Sequence, residues 1–256
     1  MLKKRFVGVI TVKNGWVVQS FGYRRYLPVG HPAVVAENLD RWGVDEILVL
    51  AIDRSAKGLG PDFELLSALG KLPLSTPLTY GGGIRNVQQA SLVIQAGAER
   101  VCVDTALHGD LGALREISIH IGSQALVASL PLGIVASEVQ WYDHVARTQS
   151  AADGAMARIF EDGLISEALV IDWQHEGMRN GFELDLLRRF PLPGVPLIAF
   201  GGLSETAQIE EVLGMPHVVA VGVGNFLNYT EHSLQHYKER LLSSVLRRPE
   251  YQVTVA

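Results

Sequence analysis

The sequence contains a single cysteine, Cys102, among its 256 residues. No intrachain disulfide can therefore form, and a cysteine-based zinc site would be incomplete. A reducing compartment is the simplest environment for such a chain. We expect a cytoplasmic protein that needs neither a metal nor a cofactor.

Long apolar runs and an excess of basic residues are also missing. The longest largely apolar stretch, 126–136, is interrupted by Ser129 and Pro131 and is too short to span a bilayer. The apolar stretch that follows the basic first residues is broken at Thr11 and Lys13, which makes it too short for a signal peptide. A net charge of −5 gives no electrostatic reason to expect nucleic acid. We therefore expect neither a membrane nor a nucleic acid as partner.

Short apolar runs alternate with longer amphipathic segments. The runs are typical of parallel strands buried on both faces, and they are 6–12, 46–52, 78–80, 100–104, 125–130, 167–172, 197–200 and 218–223. The segments between them predict helices at 32–42, 62–69, 87–96, 111–119, 155–162, 183–190, 205–213 and 232–245. Strict alternation over this length predicts an α/β fold, a single (β/α)8 TIM barrel, with an open doubly wound sheet as the alternative.

The chain also repeats itself at about half its length. The segment PLTYGGGI at 77–84 returns as PLIAFGGL at 196–203, and EILV at 46–49 returns as EALV at 167–170. The offset is about 120 residues in each case, which is too long for a solenoid repeat. We predict two half-barrels, about 1–122 and 123–246, followed by a C-terminal tail at 247–256.

Paired glycines follow the third and seventh predicted strands. Glycine lets backbone N–H groups approach a phosphate closely, and the helix that follows adds a favourable dipole. The adjacent fourth and eighth strands end in small residues, so each half offers one phosphate cradle at the ligand-binding end of the barrel. The predicted phosphate-binding residues are Gly82, Gly83, Asp104, Thr105, Gly177, Gly201, Gly202, Gly222 and Val223. They predict a phosphorylated small molecule with a phosphate at each end, although Asp104 counts against this and tight turns without a ligand are the alternative.

Several motifs together resemble the cyclase subunit of imidazole glycerol phosphate synthase, an enzyme of histidine biosynthesis, and its isomerase relative. The motifs are Arg5 with VKNG at 12–15, GVDE at 43–46, YGGGI at 80–84, AGAERV at 96–101, GSQA at 122–125 and AFGG at 199–202. The resemblance implies a barrel that docks a glutaminase on its N-terminal face. Ammonia then passes through the barrel to a bisphosphate nucleotide at the other face.

The sequence departs from this family at the acid–base positions. The family has two aspartates at the ends of strands 1 and 5, where this chain has Thr11 and Pro131 (Leu130 if the register slips by one). None of these side chains exchanges a proton near neutral pH, and each lost group typically costs about 10²–10⁴-fold in rate. The same departure argues against the isomerase, and whether this chain is an enzyme stays open. Candidate substitutes are Asp53, Asp104 and Asp172, with His175 and Glu176 beside the last.

The opposite end of the barrel keeps the family's pattern. A ring of alternating charges at the ammonia entrance is matched by Arg5, Glu46, Arg100 and Glu167. Glu99 matches a residue that pairs across the glutaminase interface, and Gln124 matches one that lines the interior. The alternative is that four charges simply pair to close the barrel.

This combination resembles a subgroup of cyclase-like proteins encoded with surface-polysaccharide genes. It implies a barrel that relays ammonia from a glutaminase to a sugar amidotransferase. The alternatives are a working cyclase and a module that only binds a phosphorylated ligand. The aromatic and basic segment 19–30 fits a nucleotide site, a partner surface or a solvated loop. Five histidines without metal-ligand spacing, at 31, 108, 120, 217 and 236, are expected on the surface.

Overall fold

The computed structural model describes residues 3–109, 111–152, 154–161, 163–229, 233–241 and 246–248. Its twelve strands are β1 (Arg5–Lys13), β2 (Trp16–Phe21), β3 (Arg25–Gly30), β4 (Glu46–Ala51), β5 (Leu78–Gly81), β6 (Arg100–Val103), β7 (Leu126–Val135), β8 (Glu138–Asp143), β9 (Thr148–Ala151), β10 (Glu167–Asp172), β11 (Leu197–Phe200) and β12 (Val218–Val223). Its helices are α1 (Pro32–Trp42), α2 (Phe63–Leu69), α3 (Val87–Gln95), α4 (Leu111–Ile121), α5 (Gly154–Glu161), α6 (Asp185–Arg188), α7 (Thr206–Gly214) and α8 (Ser233–Arg240). The predicted tail lies outside the described residues from 249 onward.

Eight of the strands run parallel and close on themselves, in the order β1, β4, β5, β6, β7, β10, β11, β12 and back to β1. A helix follows each of them before the next barrel strand begins. The predicted (β/α)8 TIM barrel is thus confirmed. The half-barrel boundaries stay a prediction.

The apolar runs supply both the inside and the outside of the barrel wall. Along β1, Val7 and Val9 point inward and Phe6 and Ile10 pack outward against the helices, because side chains alternate along a strand. The helices cover the outer layer. Among them, α1 begins with Pro32 after His31 and ends at Gly43, whose φ of 77° lies in the left-handed region that favours glycine.

Two antiparallel hairpins extend the wall at the carboxyl ends of the strands, and the sequence patterns had not predicted them as strands. The first hairpin (β2–β3) follows β1, and the second hairpin (β8–β9) follows β7. Two-residue turns with positive φ lead into both, Asn14-Gly15 (52° and 78°) and Ala136-Ser137 (49° and 65°). Such turns match the twist of paired strands. Each hairpin extends a barrel strand and borders the opening at the strand ends.

No helix among the described residues is long and apolar enough to cross a membrane.

Candidate functional site

A cavity of about 560 Å³ opens at the carboxyl ends of the barrel strands, and we call this opening the mouth. Its walls come from the ends of β4, β5, β6, β7 and β10 and from both hairpins. Ligands of TIM barrels bind at this face. The predicted site residues differ in whether they line this cavity.

The two positions where the resemblance predicts acid–base aspartates carry no titratable group. Pro131 lines the cavity beside Ile171 of the neighbouring strand. Thr11 is buried near the end of β1, in register with Leu50. The structure thus places both residues near the strand ends, where neither can act as an acid or a base.

Two of the candidate substitutes, Asp53 and Asp172, contact other groups and do not line the cavity. Asp53 holds Lys57 Nζ at 2.6 Å and does not line the cavity. Asp172 is fully buried, with its carboxylate 2.8 Å from His175 Nδ1 and accepting the Glu183 backbone N–H at 2.7 Å. Burial raises the pKa of Asp172, and these hydrogen bonds offset the rise only in part. Since Ile171 faces the cavity, Asp172 points to the outer side of the strand.

Asp104 is the one candidate aspartate that lines the cavity, and it lies between two histidines. His144 Nδ1 of the second hairpin is 3.2 Å from one carboxylate oxygen, and His108 Nε2 is 3.3 Å from the other. Burial raises the pKa of Asp104, but the two histidines beside the carboxylate outweigh it and leave the pKa below its usual value. Burial lowers the pKa of His144, and the bond to Asp104 more than compensates. The site therefore contains an aspartate–histidine pair able to carry a charge or a proton.

Sequence reasoning had missed this pair. It had placed His108 on the surface, and this was wrong, because the ring is largely buried and stacks on Trp141 at 4.1 Å. The four-residue spacing between Asp104 and His108 across a 3-10 turn was the available signal. His144 reaches Asp104 only because the second hairpin folds over the mouth, and no local pattern reports that contact.

The first phosphate cradle, formed by Gly82, Gly83, Asp104 and Thr105, borders the cavity. Gly82 and Gly83 have φ of 134° and 72°, and a Cβ on either would lie about 2.5 Å from neighbouring backbone atoms. Packing alone thus requires these two glycines. The Thr105 hydroxyl is buried and has no hydrogen-bond partner among the described residues, which leaves it available to a ligand.

The second phosphate cradle consists of Gly177, Gly201, Gly202, Gly222 and Val223. A small space of about 10 Å³ borders all of these residues except Val223. The first hairpin covers it, with Ser20 O accepting the Asn225 amide at 2.8 Å. The two cradles have similar sequences, but only the first borders a large cavity.

The opposite end of the barrel holds the four predicted entrance charges as one cluster, the entrance ring. Glu167 lies 2.6 Å from Arg5 and 2.9 Å from Arg100, and Glu46 lies 3.4 and 3.7 Å from the same two arginines. Burial raises the pKa of Glu167, but the two arginines outweigh it and hold the pKa below its usual value. Behind the ring, inward-facing apolar side chains fill the barrel; they include Val7, Leu48, Cys102, Val127, Leu169 and Ile198.

The two remaining predicted residues lie beside the entrance ring. Gln124 is exposed at the rim rather than inside the barrel, because it lies in the 3-10 turn before β7. Its carbonyl accepts a hydrogen bond from Arg100. Glu99 is exposed, and its carboxylate accepts the Leu78 backbone N–H at 2.5 Å. Glu99 thus presents negative charge at the face where a partner is predicted.

Comparison with known proteins agrees with this geometry. The model of the family described as "Histidine biosynthesis protein" matches residues 5–233. A relative from Vibrio vulnificus (strain YJ016), named "Putative imidazole glycerol phosphate synthase subunit hisF2", is 27% identical over 264 aligned positions, which cover 96% of this chain and 91% of the relative. The match extends over the whole barrel, from the entrance ring to the mouth. This chain therefore belongs to the histidine biosynthesis protein family and is similar to its cyclase-type barrels.

Proposed function

We propose that this protein is a barrel subunit that docks a glutaminase and conducts ammonia from the entrance ring to the mouth without cyclising a nucleotide itself. The proposal rests on a contrast between the two ends of the barrel. The entrance ring keeps all four charges, whereas Thr11 and Pro131 at the mouth cannot transfer protons.

The barrel interior supports conduction of a small neutral molecule. The inward-facing layer between the entrance ring and the mouth is mostly apolar, with Ser129 as a small polar exception, and such a layer excludes the charged ammonium ion more strongly than neutral ammonia. Arg5 and Arg100 are held in two-sided contact with the carboxylates, so the ring closes the entrance in the unpartnered chain. Rearrangement of these ion pairs on docking would admit ammonia.

The resemblance to barrels encoded with surface-polysaccharide genes suggests the use of the ammonia. A sugar amidotransferase bound over the mouth would receive it. A cytoplasmic location follows from the same proposal, since both partners act in small-molecule biosynthesis.

Docking is tested by titrating the glutaminase subunit of an imidazole glycerol phosphate synthase with the purified barrel and recording glutamine hydrolysis. The proposal predicts a saturable rise in hydrolysis and a stoichiometric complex. Glu99→Arg, at the predicted interface, is expected to weaken the complex. Its matched control, Glu211→Arg on the outer surface of α7, is expected to leave it unchanged. Absence of both binding and stimulation by the wild-type chain would overturn the partner proposal.

One observation favours a second candidate, a lyase with different acid–base residues. Asp104 and His144 form a proton-carrying pair in the cavity where the family's substrate is cyclised. If this candidate is correct, the isolated barrel turns over the bisphosphate nucleotide with ammonium salt, and Asp104→Asn abolishes the turnover.

A further inference from the structure

The second hairpin (β8–β9) ends in a segment, residues 142–151, that we call the tip. The tip supports its own turn, because the Asp143 carboxylate accepts the backbone N–H groups of Val145 and Ala146 at 2.8 and 2.9 Å. Strand β9 is exposed along its whole length and pairs with β8 alone among the described strands. A two-stranded hairpin is only marginally stable in water. The position of the tip therefore depends on its contacts with the rest of the barrel.

The charged contacts of the tip converge on Asp104, which directly follows β6. His144 Nδ1 lies 3.2 Å from one oxygen of the Asp104 carboxylate. Asp143 lies 3.9 Å from one ring nitrogen of His108, and the other ring nitrogen is 3.3 Å from the second Asp104 oxygen. In the part of the chain that the structure describes, these are the only ion pairs between the tip and the barrel wall. Asp104 thus holds the tip directly through His144 and indirectly through His108.

The tip also forms part of the cavity wall, to which it contributes Tyr142, His144 and Arg147. Tyr142 stacks on Trp173, which follows β10, with ring centroids 4.4 Å apart. This stack does not depend on the charge of any side chain. Loss of the ion pairs would leave it as the main contact of the tip with the barrel, and the cavity would then widen on this side.

The histidines are the groups that make the contact respond to pH. The titratable and charged groups around it and along the adjoining cavity wall are Asp104, His108 and Cys102 in or after β6, Asp143 and Arg147 of the tip, and Tyr23 and Arg24 of the first hairpin. Burial raises the pKa of both Tyr23 and Cys102, so neither ionises near neutral pH. The arginines stay charged throughout. Histidine is the side chain whose charge changes between about pH 5 and 8.

The direction of the response follows from the two partners. Burial lowers the pKa of His144, but Asp104 outweighs it and holds the pKa above its ordinary value of 6.5. The charge of His144 therefore stabilises the contact fully below pH 6.5, and this contribution is lost as the pH rises through the raised value. The pKa of Asp104 is lowered, so its carboxylate is charged throughout this range. The contact weakens as the solution becomes alkaline.

We propose that the tip is a pH-sensitive lid: protonated His144 holds it against Asp104 at the cavity, and deprotonation releases it and widens the mouth. The geometry that carries the proposal is a hairpin end with one charged attachment point on the barrel. The proposal goes beyond the proposed function and requires neither a glutaminase nor ammonia.

Hydrogen exchange of the purified full chain, followed by mass spectrometry from about pH 6 to about pH 9, tests the proposal. Each exchange rate is divided by the intrinsic rate of the same peptide at that pH. The protection of residues 142–151 is expected to fall by about five- to tenfold across this range, as a charge-assisted hydrogen bond becomes a neutral one. The first hairpin serves as the internal reference, and its protection is expected to change by no more than about twofold.

Three variants separate the lid from a general effect of pH. His144→Gln is expected to give low protection of the tip at every pH. His144→Lys keeps a positive charge over the whole range, so the tip should stay protected at about pH 9. The control His236→Gln, at an exposed histidine of α8, is expected to keep the pH dependence of the wild type. Protection of the wild-type tip that does not change with pH, or the same fall in His144→Gln, would overturn the proposal.

Discussion

Removal of one charge from the entrance ring probes its energetics directly. Glu167→Gln keeps the size and shape of the side chain and leaves Arg5 and Arg100 with Glu46 as their only carboxylate in the ring. Glu46 also accepts a hydrogen bond from the Thr79 hydroxyl at 2.6 Å. The variant therefore leaves one excess positive charge in a ring whose side chains are at most 23% exposed.

The size of the effect follows from this burial. Breaking a buried ion pair costs about 3–5 kcal/mol. Partial solvent access and the remaining amide oxygen reduce this to about 2–3 kcal/mol for Glu167→Gln. For a chain of this size each kcal/mol corresponds to about 2–4 °C in Tm, so we expect Tm to fall by roughly 5–10 °C at pH 7.

The pH dependence gives the sharper test. The pKa of Glu167 is lowered in the folded chain, so its charge stabilises the fold fully above its ordinary pKa of 4.5. That contribution is lost as the pH falls through the lowered folded value. Urea unfolding of the variant and the wild type should therefore differ by the full amount at pH 7 and by progressively less below pH 4.5.

An exposed pair supplies the control. Glu211→Gln breaks a 2.6 Å contact with Arg188 at the surface, where such pairs contribute about 0–1 kcal/mol. A loss for Glu167→Gln no larger than for Glu211→Gln at pH 7, or one that does not shrink on acidification, would refute the reasoning about the ring.

Three further predictions concern the mouth and the barrel interior. Gly177→Ala should lower the free energy of unfolding by at least about 1 kcal/mol more than Gly15→Ala in urea, since both residues have φ of 78° but only Gly177 lies against the hairpin; equal losses would remove the packing argument. Cys102 is buried at the floor of the cavity and burial raises its pKa, so a thiol reagent should modify it much more slowly in the native chain than in the urea-unfolded chain; equal rates would contradict this. Asp104→Asn should lower the pKa of His144 in an NMR titration, and an unchanged value would show that the pair does not form in solution.

Much of the fold follows from the sequence, because most barrel strands are largely apolar runs and most helices bury one apolar face. The first hairpin also had a local signal, since Asn14-Gly15 is a favoured turn pair. The second hairpin had none, because Ala136-Ser137 adopts the same left-handed turn without a residue type that favours it. Tertiary pairing with β7 imposes that turn.

The candidate site was less predictable, because its main contacts join distant segments. The two cradles have matching glycines, but a cavity of about 560 Å³ borders the first and a space of about 10 Å³ borders the second. Asp104 meets His144 because the second hairpin folds back over the strand ends. Local patterns report which residues are present at the mouth, whereas the hairpins decide which of them face the cavity.

Turnover of the bisphosphate nucleotide with ammonium salt by the isolated barrel tests the central claim most directly, with an ordinary cyclase subunit assayed alongside. Thr11 and Pro131 supply no proton-transferring group, so we expect no turnover above the rate without protein. Turnover close to that of the ordinary cyclase would contradict it.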